Sequence, residues 1–262
     1  MIIVTNDDGV HSPGIIALAK SLSEFNIKVV APKGAQSSTG MSITFHRPIT
    51  MSRVSKNNYD AIALAGTPAD CVFVSIHKLF KRKKVDMIVS GINLGENISM
   101  QSFFSSGTVS AAMSGSIIGI KSVAFSKVIP NTTELLTERE FRPAAEWAKR
   151  IVSFLLSEGF PPGVDLLNVN FPLKVTKSTK VQVTLMAKEE FEDYVVGRTD
   201  PRGNRYFWLA GDKIEAAEEG TDAYATLAEG KISITPISIS SIQRESDRKV
   251  QDHFDKLVNT QD

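Results

Sequence analysis

The sequence predicts an α/β fold in which helices cover both faces of a mainly parallel sheet, continued by a β-rich C-terminal extension and a terminal helix. Two observations carry this. Through about residue 160, short, mostly apolar strand-like runs alternate with segments of helical periodicity, the pattern of a parallel sheet covered by helices on both faces. Beyond Pro161 the helical periods thin out, and strand-like runs follow one another with loops between them.

Taken in order, IIVT (2–5) reads as a buried strand and GIIALAKSLSEF (14–25) as an amphipathic helix. IKVVAP (27–32) is a second strand with Pro32 marking its exit, and YDAIALA (59–65) is another. TPADCVFVSIHKLF (67–80) predicts a helix with Thr67 as N-cap, Pro68 at the first position and Asp70 in the first turn. VDMIVSG (85–91) is an apolar strand, and GTVSAAMSGSIIGI (107–120) has the small residues of a helix packed closely on a sheet. KSVAFS (121–126) resumes the strands, and FRPAAEWAKRIVSFLLSEG (141–159) is a helix ending at Gly159. In the extension, DLLNVNFP (165–172), KVQVTLMA (180–187), RYFWLAG (205–211) and KISITPISI (231–239) are strand-like, and the charged stretch 241–259 reads as the terminal helix. Residues 1–160 are therefore expected to form the core that carries the site. Residues 161–262 are expected to supply oligomerisation elements, within the same structural domain or beside it.

The chain is 42% hydrophobic and 23% charged, an ordinary globular composition, and its formal net charge of +1 supplies no global field for a nucleic-acid polymer or an anionic membrane. A single cysteine, Cys71, excludes an internal disulfide framework and fits a reducing, cytoplasmic compartment. The first apolar run is too short for a signal peptide, and no run approaches the ~18 residues of a membrane span. The cations at 81–84 read as a solvated complement to a helix C-terminus.

In open parallel sheets, ligands bind outside the carboxyl ends of the strands, so the residues that follow each strand matter most. After IIVT come Asn6, Asp7, Asp8 and Gly9, and after IKVVAP comes KGAQSSTGMS. After DMIVSG come Asn93 and Asn97, and SSGT places Ser105, Ser106, Gly107 and Thr108 at a helix start. Such oxygen ligands suit a hard divalent cation, whereas the thiolate and imidazole clusters of a zinc site are absent. Gly9 supplies the permissive backbone that lets two adjacent acids converge. A glycine-hydroxyl turn that opens a helix offers N–H groups and a positive dipole end to an anion. It matches neither the P-loop nor the dinucleotide fingerprint, and no G-x-S-x-G elbow is present. Each piece taken singly has a bland reading as a turn, a loop or a cap. Together they fit metal-assisted phosphate chemistry or a non-hydrolytic ligand-binding domain, and the residues alone leave both open.

The combination VTNDDG (4–9), VVAP followed by QSSTG (36–40), GTPADCV (66–72), DMIVSGINLGEN (86–97), SSGTVSAA (105–112), LNVNFP (167–172), TDPRGNRYFWLAG (199–211) and GTDAYATLAEGKISITP (220–236) resembles the SurE family of survival-protein 5'-nucleotidases along nearly the whole chain. The resemblance implies a Rossmann-like three-layer core, dimers or tetramers that exchange C-terminal elements, and a divalent-metal-dependent nucleotidase using one magnesium or manganese ion. The implied metal positions are Asp7, Asp8, Ser37 and Asn93, and the implied phosphate contacts are Asn97, Ser106, Gly107 and Thr108. Asp7 and Asp8 are the implied catalytic acids, with Asp8 preferred for orienting or deprotonating the attacking water. Two departures from the family pattern stand out: Ser105 where many relatives carry histidine, and Ser99 where many carry glycine. The rival readings are a metal- and nucleotide-binding regulatory domain without turnover and a phosphatase acting mainly on polyphosphate. TDPRGNRYFWLAG is expected to form a hairpin with core aromatics, the alternative being a flap whose Arg202 or Tyr206 reaches the nucleoside.

Overall fold

The computed structural model describes residues 1–56, 59–130, 135–213 and 217–239, and the helix expected over 241–259 lies outside them. Strand β1 (Ile2–Thr5) is buried throughout and pairs in parallel with β2 (Ile27–Pro32) on one side and β5 (Met87–Leu94) on the other. β3 (Met51–Lys56) runs antiparallel along β4 (Tyr59–Leu64), which itself pairs in parallel with β2. Beyond β5, β6 (Ser122–Lys127) and β7 (Leu166–Phe171) continue the parallel sheet. β11 (Ile232–Ile237) then joins β7 in the antiparallel sense, and β8 (Val181–Val183) closes the edge beside it. The order is β3-β4-β2-β1-β5-β6-β7-β11-β8, so the chain leaves β1 toward one side and later returns to the other. The switch point between β1 and β5 is where ligands bind in such sheets.

Alternate side chains of β1 feed opposite layers. Ile2 and Val4 pack in the cluster that includes Ile15 and Leu18 of α1 (Pro13–Ser21) and Phe141, Ala144 and Val152 of α5 (Glu138–Glu158). Ile3 packs on the other face with Val72 of α2 (Pro68–Val74) and Ala111 of α4 (Gly107–Ile117). The expected three-layer α/β architecture is therefore present. Thr67 and Asp70 form a reciprocal capping box, with Asp70 N–H donating to Thr67 Oγ1 at 3.1 Å and Thr67 N–H to Asp70 Oδ2 at 2.8 Å.

Several details differ from expectation for local reasons. The helix expected to reach residue 25 stops at Ser21, whose Oγ donates to Leu18 O. The helix expected to reach residue 80 leaves α geometry after Val74 and continues as a π-helical turn over Ser75–Leu79, with Ser75 Oγ donating to Cys71 O at 2.6 Å. β3 and α3 (Ser99–Ser105) were not expected, and β9 (Phe191–Thr199) was implied only as the unnamed partner strand of the expected hairpin. MSRVSK is an almost wholly exposed edge strand without an apolar run, and the three serines of SMQSFFS read as loop. The expected hairpin does form, as a separate two-stranded sheet of β9 and β10 (Arg205–Lys213). Its aromatics are not core: Phe207 is 66% and Trp208 59% exposed. Among the described residues no helix is long and apolar enough to cross a membrane.

Candidate functional site

The carboxyl end of β1 runs straight into a tight turn. Asn6 is fully buried and its Nδ2 donates to Gly9 O at 3.1 Å, and Gly9 has φ of 97°, a conformation side chains disfavour. A Cβ at Gly9 would also stand 3.0 Å from the carbonyl carbon of Gly34. Val10 N–H donates to Pro32 O and Gln36 N–H to Asp7 O, each at 2.8 Å. These bonds bind the turn to the segment after β2, so the loop carrying Ser37 lies beside the two acids.

Asp7 meets the start of α4. Thr108 Oγ1 donates a short hydrogen bond to Asp7 Oδ1. A Cβ placed on Gly107 would lie 2.7 Å from Asp7 Cβ and 2.9 Å from Oδ2, so any side chain at 107 would push the acid out of place. Ser106 caps the helix, its Oγ accepting from Val109 N–H at 3.1 Å. Asp8 Oδ2 accepts from Leu94 N–H at 3.1 Å, which ties the second acid to the end of β5. One residue earlier, Asn93 Nδ2 donates to Gly95 O at 2.8 Å, a bond that engages the amide nitrogen and not the amide oxygen. Ser37 is exposed.

Asn97 is held in a polar hub under the same loop. Its N–H donates to Asn170 Oδ1 and its Nδ2 to Ser126 Oγ, while its carbonyl accepts from Asn168 Nδ2, all at 2.8 Å. Sequence reasoning missed Asn168, Asn170 and Ser126. Their signal was present in LLNVNF, where two asparagines two apart share one face of an otherwise apolar strand. It also missed Asp222, whose Oδ2 accepts from Ser99 N–H at 3.1 Å. Ser99 has φ of 67°, so the serine adopts the left-handed backbone that glycine takes easily. Ser105 is exposed and its Oγ donates to Gln101 O at 3.0 Å. His11 is exposed as well.

Both acids are raised in pKa. Burial lifts Asp7, opposed by the hydrogen bond from Thr108 and by the N–H groups at the α4 start. Asp8 is pushed up to about 7, first by burial and then by the neighbouring charge of Asp7, with the Leu94 N–H pulling the other way. Asp7 is buried and Asp8 half-buried, and two like charges set this close in a partly desolvated site disfavour being ionised together unless a cation offsets them. Among the described residues no three or more His, Cys, Asp or Glu side chains gather to hold a metal. A cation here would take two carboxylates and fill its shell with neutral oxygens, the donor set that a hard divalent ion accepts.

Three comparisons bear on these residues. The family described as Survival protein SurE matches residues 2–193. The 5'-nucleotidase SurE of Thermococcus gammatolerans is 41% identical over 263 residues, covering 98% of this chain and 94% of the relative. That of Pyrobaculum arsenaticum is 39% identical over 254 residues, covering 95% and 93%. The crystal structure of the Sure protein from Aquifex aeolicus superposes with a TM-score of 0.79 at 35% identity, covering 98% of both chains. A match over most of the length, in sequence and in fold, places this chain in the SurE family.

Proposed function

We propose that this protein is a 5'-nucleotidase, a phosphomonoester hydrolase that uses one divalent cation, magnesium or manganese, to release phosphate from nucleoside monophosphates. The observation that carries the reading is the pair Asp7 and Asp8, both raised in pKa, set beside the N-terminal turn of α4 at the sheet's switch point. Asp7, Asp8, Ser37 and Asn93 would hold the cation. When bound, it polarises a phosphoryl oxygen and lowers the pKa of water.

The chain's own groups do the rest. Thr108 fixes Asp7 in one rotamer through its hydroxyl. Gly107 keeps the helix start close enough for its backbone to face the anion. Asn97 and the Ser106–Thr108 turn hold the phosphate, with Asn97 anchored by Ser126, Asn168 and Asn170. Asp8 has one backbone donor on Oδ2 and takes the proton of the attacking water on Oδ1. The reading also makes the protein a homo-oligomer, dimer or tetramer. Support comes from the hairpin, where Val195 and Phe207 on one face and Trp208 on the other are all exposed. Apolar surface of this kind marks an interface.

The test is phosphate release from nucleoside monophosphates, short polyphosphate and a generic aryl phosphate, with magnesium, manganese or chelator. Metal-dependent release from the nucleotides supports the reading. Binding without release favours a regulatory domain, and faster release from polyphosphate favours that substrate. A folded Asp7→Asn variant should lose about 10²-fold or more in kcat. Full metal-dependent activity in that variant would sink the assignment.

A further inference from the structure

A cleft of about 490 Å3 opens beside the site, bounded by Ser38, Ser105, Tyr194, Val195, Leu209 and Ala210. That size is in the range of small-molecule sites. Ser38 and Ser105 adjoin Ser37 and Ser106 in the chain, so the cleft begins one residue from the metal loop and one from the phosphate turn. Gly40 N–H donates to Ser105 O at 3.1 Å and joins these two borders. The far wall is the root of the β9–β10 hairpin. There Tyr194 stands opposite Ala210 and Val195 opposite Leu209 in register, so a small residue leaves space beside an aromatic ring.

That wall is fixed to the core. Gln101 Oε1 accepts from the N–H groups of Glu190 at 3.2 Å and Phe191 at 3.0 Å, and its Nε2 donates to Asp193 Oδ2 at 2.6 Å. Its amide is thus committed to positioning the strand. On the other strand, Lys213 Nζ pairs with Glu96 at 2.5 Å and with Glu190 at 3.3 Å. Glu96 directly precedes the phosphate contact Asn97, so the hairpin root and the phosphate loop share one ionic clamp.

We propose that this cleft is the nucleoside subsite, in which the base of a nucleoside monophosphate packs against Tyr194 with Ala210 leaving it room. The inference rests on the nucleotidase reading and adds to it the residue that selects nucleotides over other phosphomonoesters. A planar ring needs an aromatic or apolar wall held rigidly, and the cleft supplies one. Arg202 and Tyr206 are not among its lining residues.

The experiment compares kcat/KM for nucleoside monophosphates with that for glycerol phosphate, which lacks a base, using the full chain with magnesium or manganese. Tyr194→Ala should lower the nucleotide-to-glycerol-phosphate ratio by roughly 5- to 100-fold, chiefly through KM, the scale of losing one stacking contact. Tyr194→Phe should keep the ratio, and Ala210→Leu, which fills the cleft, should lower it. An unchanged ratio in both Tyr194→Ala and Ala210→Leu, with thermal melts matching the parent, overturns the subsite. Equal losses on both substrates overturn it too. A parent that releases phosphate from neither substrate removes the nucleotidase reading and the subsite with it, an outcome visible before any variant is made.

Discussion

Asp8 and Asp222 are both carboxylates withdrawn from water at the same end of the sheet, and the protein serves them in opposite ways. Asp222 Oδ1 accepts from Ala187 N–H at 2.9 Å and Ala223 N–H at 2.8 Å, and its Oδ2 accepts from Ser99 N–H. It joins three separate segments of backbone. Asp8 receives a single N–H, from Leu94, and stands beside another acid. Burial raises both pKa values, yet only at Asp222 do several donors oppose it. A buried acid surrounded by N–H groups is a staple. A half-buried acid set against its own kind, with one N–H to oppose the repulsion, has a charge that the protein itself leaves poorly compensated.

The largest effect should come from breaking the staple. Asp222→Ala leaves the N–H groups of Ala187, Ala223 and Ser99 buried without an acceptor, each a loss of about 1–3 kcal/mol. Denaturant unfolding should show a loss of about 3–5 kcal/mol, together with reduced activity as the loop bearing Asn97 slackens. Unchanged stability would erase the distinction between the two acids.

Asp8→Asn should act in the other direction. In chelator at pH 8, removing a charge that is buried against Asp7 should stabilise the fold by about 1–3 kcal/mol while activity is lost. The linkage fixes the pH window. The ordinary carboxyl value of 3.8 is raised to about 7 in the fold, so the native state binds more protons than the unfolded chain between these values. Metal-free stability should therefore fall as pH rises from about 4 to about 7, and level off above. Melting temperatures at pH 5, 6, 7 and 8 should show the slope in the parent and a much weaker one in Asp8→Asn. Adding magnesium at pH 8 should recover the lost stability in the parent alone. A rise in metal-free stability across that window would contradict the assignment of Asp8.

The contrast also explains what the sequence could and could not reveal. The parallel core was legible because IIVT, the VVAP end of β2 and the first residues of β5 are mostly apolar and buried, a pattern set by burial on both faces. Asp7 and Asp8 were legible because the turn that presents them is local: adjacent acids followed by a glycine at positive φ. Asp222 was not, because its partners lie at 99, 187 and 223, and no local pattern encodes a bond across 123 residues. The hairpin misled for a related reason. YFWL reads as core on composition, but core status depends on what covers a strand, and here a two-stranded sheet leaves both faces exposed.

The smallest effect probes how the staple shapes its surroundings. Ser99 is buried at positive φ, with its N–H on Asp222. A non-glycine residue in this region is strained by about 1–2 kcal/mol, and Asp222 is the group that holds it there. Ser99→Gly relieves the strain, gives back about 0.5–1 kcal/mol through the freer unfolded chain, and removes a long 3.4 Å bond from Ser102 N–H to Ser99 Oγ. The net gain should be about 0.5 kcal/mol. Once Asp222 is gone the backbone at 99 can relax, and glycine then has no strain left to relieve. In a double-mutant cycle with Asp222→Ala the gain should vanish, a coupling of about 0.5 kcal/mol or more. An equal gain in both backgrounds would mean that the loop keeps its left-handed residue without the staple, and that Asp222 holds position 187 and its own turn rather than the loop that carries Asn97.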